Sequence, residues 1–373
     1  MPSSRQFTPA NDDCVQFLRL EHTHNRNLSG EWTVREAGAA DRPRWSSFIR
    51  DQPHATFYHQ AGWGDIIQST YGIEPWRILC ERDGNIEAVV QLFRIRVPFV
   101  GTVIASDIYT SYGGIVSSSA AGAQKLMAGV ADQAQDMRKK YVELKNQHEW
   151  QSSGWQTKSD YCTMRLSIEQ GASHVWNKWD KRVRQSVRRA ERSGISVEFG
   201  DHQLSEFYDI VARDKHRLGT PVHALQIFES IVETFPDQVF VLLARYKGKV
   251  VNAQLVTEFG GILDMHMGGM LFEYRKFKPR NLCIWKLLEL AEERGYTHLD
   301  FGRSIWESNA FEFKRHLDAE PVPLSYQYFL GKANEVPRID QNNPKFSLAI
   351  KAWQFMPHPL TRWLGPQLIR YIP

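Results

Sequence analysis

A hairpin, then an amphipathic helix, then a strand: the 373-residue chain runs through this order twice, and the repetition narrows the available folds more than any single motif. In the first pass, strand-like runs at 75–83 and 86–96 flank Asp83-Gly84-Asn85, a tight-turn sequence. A helix follows with Leu126, Met127, Val130, Ala131, Ala134 and Met137 on one face, and residues 141–145 read as the next strand. In the second pass the turns are Lys247-Gly248-Lys249 and Gly260-Gly261, and the helix turns Ile284, Leu287, Leu288 and Ala291 inward before Gly295 stops it. The closing strand alternates from Tyr296 to Phe301 and breaks at Gly302. Strands and helices in this order imply an α/β (α+β) fold built on mixed central sheets.

So long a chain exceeds one comfortable core, so two domains are expected. The pattern divides it into a polar N-terminal arm (1–30), a first domain (31–170), a second domain (171–335) and an amphipathic tail (336–373). Residues 146–160 read as a polar connection before a strand at 161–168, and 176–192 as one strongly basic helix. A hydrophobic share of 42% and a charged share of 24% are ordinary for a globular protein, and a net charge of +4 is too small to argue for nucleic acid. Cys14, Cys80, Cys162 and Cys283 are far apart and form no C-x-x-C, so neither a zinc site, a disulfide framework nor any other metal centre is expected. The start of the chain carries no apolar run of signal-peptide length and no stretch approaches a membrane span, which places the protein in the cytoplasm or on the inner face of the membrane.

Chemistry concentrates at residues 296–316. Asp300, Arg303 and Ser304 fall at a strand's carboxyl end, where a sheet fixes polar groups while the loop leaves room for a ligand, and Glu307, Phe313 and Lys314 follow within reach of the same spot. A plain Asp300–Arg303 salt bridge is the competing reading. Tyr109 and Tyr112 adjoin Gly113-Gly114, which suits either close approach of a ligand or a glycine bulge under packed tyrosines. Arg217 and Thr220 sit in a turn with Gly219 and Pro221. The basic helix, with Lys181, Arg182 and Arg188, reads as a solvated face or as a phosphate-binding surface, and Lys278, Arg280 and Asn281 open a helix whose N-terminus suits an anion. Hydrolase, zinc-protease and NTPase motifs are absent.

Six segments together resemble the FemAB-like proteins, which are tandem GNAT-fold (acyl-CoA N-acyltransferase-like) transferases, and particularly the subgroup tied to exosortase/PEP-CTERM exopolysaccharide loci. They are FYHQAGWGDIIQSTYG, SYGGI, KRVRQSVRRAERSGISV, HRLGTP, GYTHLDFGRS and FEFKRHLDAEPVPLSYQY, spread over about residues 55–330. The resemblance implies two tandem GNAT-like domains and transfer of an acyl or aminoacyl group onto an amine of a cell-wall (peptidoglycan) or exopolysaccharide precursor. The donor would be aminoacyl-tRNA or acyl-CoA, with no tightly bound cofactor, and tRNA and an amino-sugar or peptide-bearing polysaccharide precursor would be the partners. A Phe-Lys pair important to catalysis in that family falls on Phe313-Lys314.

The usual Q/R-x-x-G-x-G/A of a GNAT loop is replaced here by RKFKPRN, and no coiled-coil arm is present. In the resulting expectation Lys314 meets the developing oxyanion or a substrate phosphate, Phe313 excludes water, and Asp300, or else Glu307, orients or deprotonates the amine. Arg303 and Arg217 clamp the acceptor, with Thr220, Tyr109, Tyr112 and Ser304 around it, while Lys181, Arg182, Arg188, Lys278, Arg280 and Asn281 meet donor phosphates. Two other classes stay open: a ligand-binding module of the same fold without catalysis, and a membrane-surface partner acting through the tail, whose competing reading is that it packs on its own domain.

Overall fold

Residues 30–98, 100–136, 139–200, 203–333, 335–336 and 344–372 are described by the computed structural model. Nearly all of the expected arm, Cys14 and Met137 lie outside them. The first pass comprises β1 (Trp32–Glu36), α1 (Arg42–Arg50), α2 (Ala61–Tyr71), β2 (Pro75–Arg82), β3 (Asn85–Val97), β4 (Gly101–Ser106), β5 (Ile115–Ser117), α3 (Ala120–Asp136) and β6 (Tyr141–Asn146). Asp83 and Gly84 take φ of 50° and 79°, the two left-handed residues that the expected two-residue hairpin needs.

β7 (Trp155–Ser167) ends the first half, and the second opens with α4 (Ala172–Lys178), α5 (Lys181–Arg192), β8 (Ile195–Gly200), α6 (Leu204–Leu218) and α7 (Leu225–Thr234). It continues through β9 (Val239–Tyr246), β10 (Lys249–Phe259), β11 (Ile262–Met270), α8 (Pro279–Glu293), β12 (His298–Ile305), α9 (Asn309–Arg315) and β13 (Glu320–Leu330). Helices α10 (Pro344–Phe355) and α11 (His358–Ile369) form the tail.

All these strands join one sheet in the order β1-β2-β3-β4-β6-β13-β7-β12-β11-β10-β9-β8, with β5 beside β3. Pairing is antiparallel except for β4 with β6 and β11 with β12, which run parallel because a helix, α3 or α8, carries the chain across between them. Each half's last strand crosses over. β7 follows β6 in the chain yet pairs with β12, while β13 follows β12 and pairs with β6. The two exchanged strands then pair with each other. The sheet therefore runs unbroken across the divide expected at 170/171, and neither half completes its sheet from its own stretch of chain.

Two local expectations are corrected. β7 begins at Trp155, inside the stretch read as a connection; its first residues are largely exposed and give no apolar alternation, and pairing with β13 holds them extended. The basic helix is two, α4 and α5. Trp179 is buried with its indole N–H donating to Leu317 O at 2.8 Å, and the Asp180 carboxylate caps α5 by accepting from Arg182 N and Val183 N.

Helices cover both faces. α3 packs with β2, β3 and β6 through Leu126, Met127 and Val130, as expected of that face. α4, α5 and α8 cover the second half through Val175, Val187, Leu287 and Leu288. On the opposite face α2, α6 and α7 share one core that draws residues from both halves. Glycine lets α6 come this close to β11: a Cβ at Gly269 would stand 2.9 Å from Ile210 O and 3.0 Å from Val211 Cα. Both neighbours are backbone and cannot rotate away. Gly269→Ala should therefore lower stability by about 1–3 kcal/mol, read as a lower urea midpoint at unchanged slope.

Candidate functional site

β11 and β12 stay in parallel register only over Ile262↔His298, Leu263↔Leu299 and Asp264↔Asp300. Beyond that point β12 continues along β7 past a register shift between Asp300 and Arg303, while β11 continues along β10. Two carboxylates thus stand side by side where two strands part.

They differ in surroundings. Asp300 is fully buried and accepts from Tyr112 Oη at 2.5 Å, Thr163 Oγ1 at 2.5 Å, Gly302 N at 2.7 Å and Arg165 Nε at 2.9 Å. A carboxylate has about four acceptor positions, and all are taken. That leaves no acceptor position for the amine proton expected of Asp300, which instead holds Tyr112, Thr163, Arg165 and the Gly302 backbone together. Its ion-pair partner is Arg165 rather than Arg303, so the plain Asp300–Arg303 bridge is also set aside.

Asp264 is half-buried and accepts from the Tyr58 hydroxyl. Burial and the neighbouring Asp300 charge push its carboxyl up to about 7. The Tyr58 and Tyr112 hydroxyls are held well above the usual phenol value by burial, so both remain donors. Neither Asp264 nor Tyr58 was singled out as a site residue in the sequence, although Tyr58 lies in the FYHQAGW segment and Tyr112 in SYGGI.

α9 brings the lysine back. Ser308 caps this helix by accepting from Phe311 N, and Lys314 Nζ donates to Gly302 O at 2.8 Å and Arg303 O at 3.1 Å. Burial pushes Lys314 down to about 8, against the opposing pull of Asp300 and Asp264. An ammonium has three donors, so one is left over. Phe313 is half-buried against the core of the second half. The Arg303 guanidinium lies 4.5 Å over the Tyr161 ring and donates to Tyr326 Oη at 3.0 Å; Tyr326 in turn donates to Ser111 O.

The helix that links the two strands begins at the same end. α8 has Lys278 at its N-cap with φ of 61°, Pro279 in its first turn and no side chain capping its N–H groups. Lys278 and Arg280 are exposed, Asn281 is half-buried, and the Arg280 charge contributes to the lowering of Lys314.

Other expected residues are placed elsewhere or otherwise engaged. Ser304 is 4% exposed, with its hydroxyl enclosed and without a hydrogen-bond partner. Glu307 is exposed in the turn after β12 at φ of 59°. Arg217 pairs with Asp214 at 2.7 Å and stacks 4.7 Å over Phe272, and Thr220 closes the end of α6 by bonding Lys215 O. Tyr109 packs edge-on against Tyr71 and His223, which favours the packed-tyrosine reading for that residue. Lys181, Arg182 and Arg188 are exposed on α5, whose N-terminus Asp180 already occupies, and Arg188 lies 5.6 Å over Trp176. No group of His, Cys, Asp and Glu among the described residues is arranged to hold a metal.

Residues 177–315 match the acetyltransferase (GNAT) domain family. FemX superposes with a TM-score of 0.64 at 16% identity, over 80% of this chain and 98% of that one. A tandem GNAT protein from the clavulanic acid biosynthesis pathway gives 0.51 at 11% identity, over 80% and 98%. L-PGS from Bacillus licheniformis gives 0.52 at 10% identity, over 87% and 99%. A search of curated proteins by sequence finds no match. The fold is therefore α/β with a large mixed sheet, and it is shared with tandem GNAT proteins.

Asp300→Ala would leave Arg165, Tyr112 and Thr163 facing a void with their donors unmatched. It should cost about 3–5 kcal/mol in denaturant unfolding, a loss of fold stability separate from any loss of turnover.

Proposed function

We propose that the chain is an N-acyltransferase of FemAB-like type, forming an amide on an amino group of a cell-wall or exopolysaccharide precursor. The observation that carries this reading is the parting of β11 and β12 at Asp264 and Asp300, with Lys314 delivered to the same place. An amine attacking an activated ester or thioester needs a base, positive charge at the oxyanion, and alignment. Asp264 fits the base: it is partly exposed, and its carboxyl takes up and releases a proton near neutral pH. In the step, the amine nitrogen bonds to the carbonyl carbon, its proton passes to Asp264, and the C–O or C–S bond to the donor breaks. The proton then leaves with the donor oxygen or sulfur.

The spare N–H of Lys314 supplies positive charge at the oxyanion, and Arg303 clamps an anionic part of the acceptor. The uncapped start of α8, with Lys278, Arg280 and Asn281, favours donor phosphates there. The donor is an aminoacyl-tRNA or an acyl-CoA. The GNAT domain match over 177–315 favours acyl-CoA, and the sequence segments that resemble FemAB-like proteins favour aminoacyl-tRNA. Incubation with each donor class and an amino-sugar or peptide acceptor, followed by mass spectrometry of the acceptor, tests the proposal; an acceptor left unmodified by both donor classes would sink it.

Asp264→Asn should reduce turnover by a factor of about 10² to 10⁴ while the melting temperature holds. With the wild-type chain, rate should rise as pH climbs through 7, because the base works only once ionised, and fall above about 8 as Lys314 loses its charge. The rising limb should vanish in Asp264→Asn and the falling limb in Lys314→Ala, measured as kcat/KM against pH.

A further inference from the structure

The inner side of the C-terminal tail is firmly seated on α6. Gln354 Nε2 donates to Arg217 O at 2.7 Å, His216 Nε2 lies 3.0 Å from Met356 O, and the Arg362 guanidinium covers the Tyr208 ring at 4.6 Å. Thr361, Gly365 and Ile369, four residues apart, form the buried face of α11, and a Cβ at Gly365 would stand 2.7 Å from Val222 O. Trp353 on α10 is buried.

The outer side is apolar as well. Leu348, Phe355, Leu360, Trp363, Leu368 and Tyr371 stand in solvent, Phe355 at 88% and Trp363 at 66% exposure. Leu348 and Phe355 are seven residues apart and share one face of α10, Leu360 and Trp363 share one face of α11, and Tyr371 follows in the turn just past its end. An exposed patch of this kind marks an interaction surface.

Charge identifies the occupant. Residues 344–373 contain Lys345, Lys351, Arg362 and Arg370 and no Asp or Glu, so this short stretch holds an excess equal to the whole chain's +4. Arg370 and Tyr371, at the end of α11, also line a groove of about 410 Å³ with Trp76, Arg94 and Arg96, beside Glu36 and Glu74. Arg94 lies 5.2 Å over the Trp76 ring, and among the described residues none of these three arginines has a carboxylate within ion-pair distance. Two copies of the tail face to face would bring like charges together. An anionic phospholipid surface satisfies both the apolar ridge and the cations, and tryptophan and tyrosine favour its headgroup layer.

We infer that the outer face of α10 and α11 docks on an anionic bilayer, with Phe355 and Trp363 seated among the headgroups and Arg94, Arg96 and Arg370 taking a headgroup phosphate. This surface is independent of the transferase reading, so either can fail without the other.

The test is co-sedimentation of the full chain with vesicles of phosphatidylcholine alone or with added phosphatidylglycerol. Binding is expected to the anionic vesicles only and to be reversed by salt. Phe355→Glu with Trp363→Glu should reduce the bound fraction by at least about tenfold, and Arg94→Ala with Arg370→Ala by about fivefold or more per charge. All four side chains are exposed, so circular dichroism and melting should be unchanged. Equal binding to neutral vesicles, no binding, or full binding by the Phe355/Trp363 double variant would overturn the inference. So would a dimer in sedimentation equilibrium that the same double substitution abolishes, since a second copy would then be the occupant.

Discussion

A buried carboxylate with four donors underlies the rest of this structure. A lone charge with the burial of Asp300 would be costly by several kcal/mol, and it is tolerated because Tyr112, Thr163, Arg165 and Gly302 converge on it. Those donors come from three places: the loop after β4, the exchanged strand β7, and the bend of β12 itself. Arg165 is braced in turn by Gln147, whose Oε1 accepts from its Nη2 at 2.6 Å. The requirement to satisfy one acid thus ties the first half, the crossover and the second half together. It also creates the chemistry next door, since a fixed negative charge is one reason Asp264 holds its proton to near neutrality.

The repeat is symmetrical in topology but not in how its two strand partings are filled. β4 and β6 pair in parallel over Ile104↔Val142 and Ala105↔Glu143, the counterpart of the parting between β11 and β12. In the first half the following loop folds back into that position. Asp107 accepts from Gly114 N at 2.8 Å, burial pushes its carboxyl up to about 8, and Gly113 lies so close that a Cβ would be 2.0 Å from Asp107 Oδ2. The same loop sends Tyr112 across to Asp300. One half is filled by its own chain and lends a donor to the other, which leaves the second half with the paired acids. The short turn before α2 does likewise with Tyr58 and Asp264.

Local features were legible where local physics decides them. The Asp83-Gly84 hairpin, the apolar face of α3 and the return of Lys314 to the end of β12 all follow from short-range turn chemistry and helix period. The four donors around Asp300 were not legible, because alternation says which residues lie on a strand, but not how many donors will meet them. Arg217 and Thr220 looked like ligand groups for the same reason that they close a helix: both are polar residues beside a glycine turn.

What the sequence by itself determined is the order of elements, the doubled unit and the identity of the lysine that follows the last β-to-α turn, since each rests on neighbours a few residues apart. Only the tertiary structure decided which acid is sealed by donors and which is left half-exposed. Asp264 and Asp300 are separated by a helix and meet through strand register, Tyr58 reaches Asp264 across 206 positions, and the exchange of β7 and β13 sets the donors around Asp300. These are consequences of which strands lie side by side, and proton affinity is governed by that neighbourhood rather than by residue type.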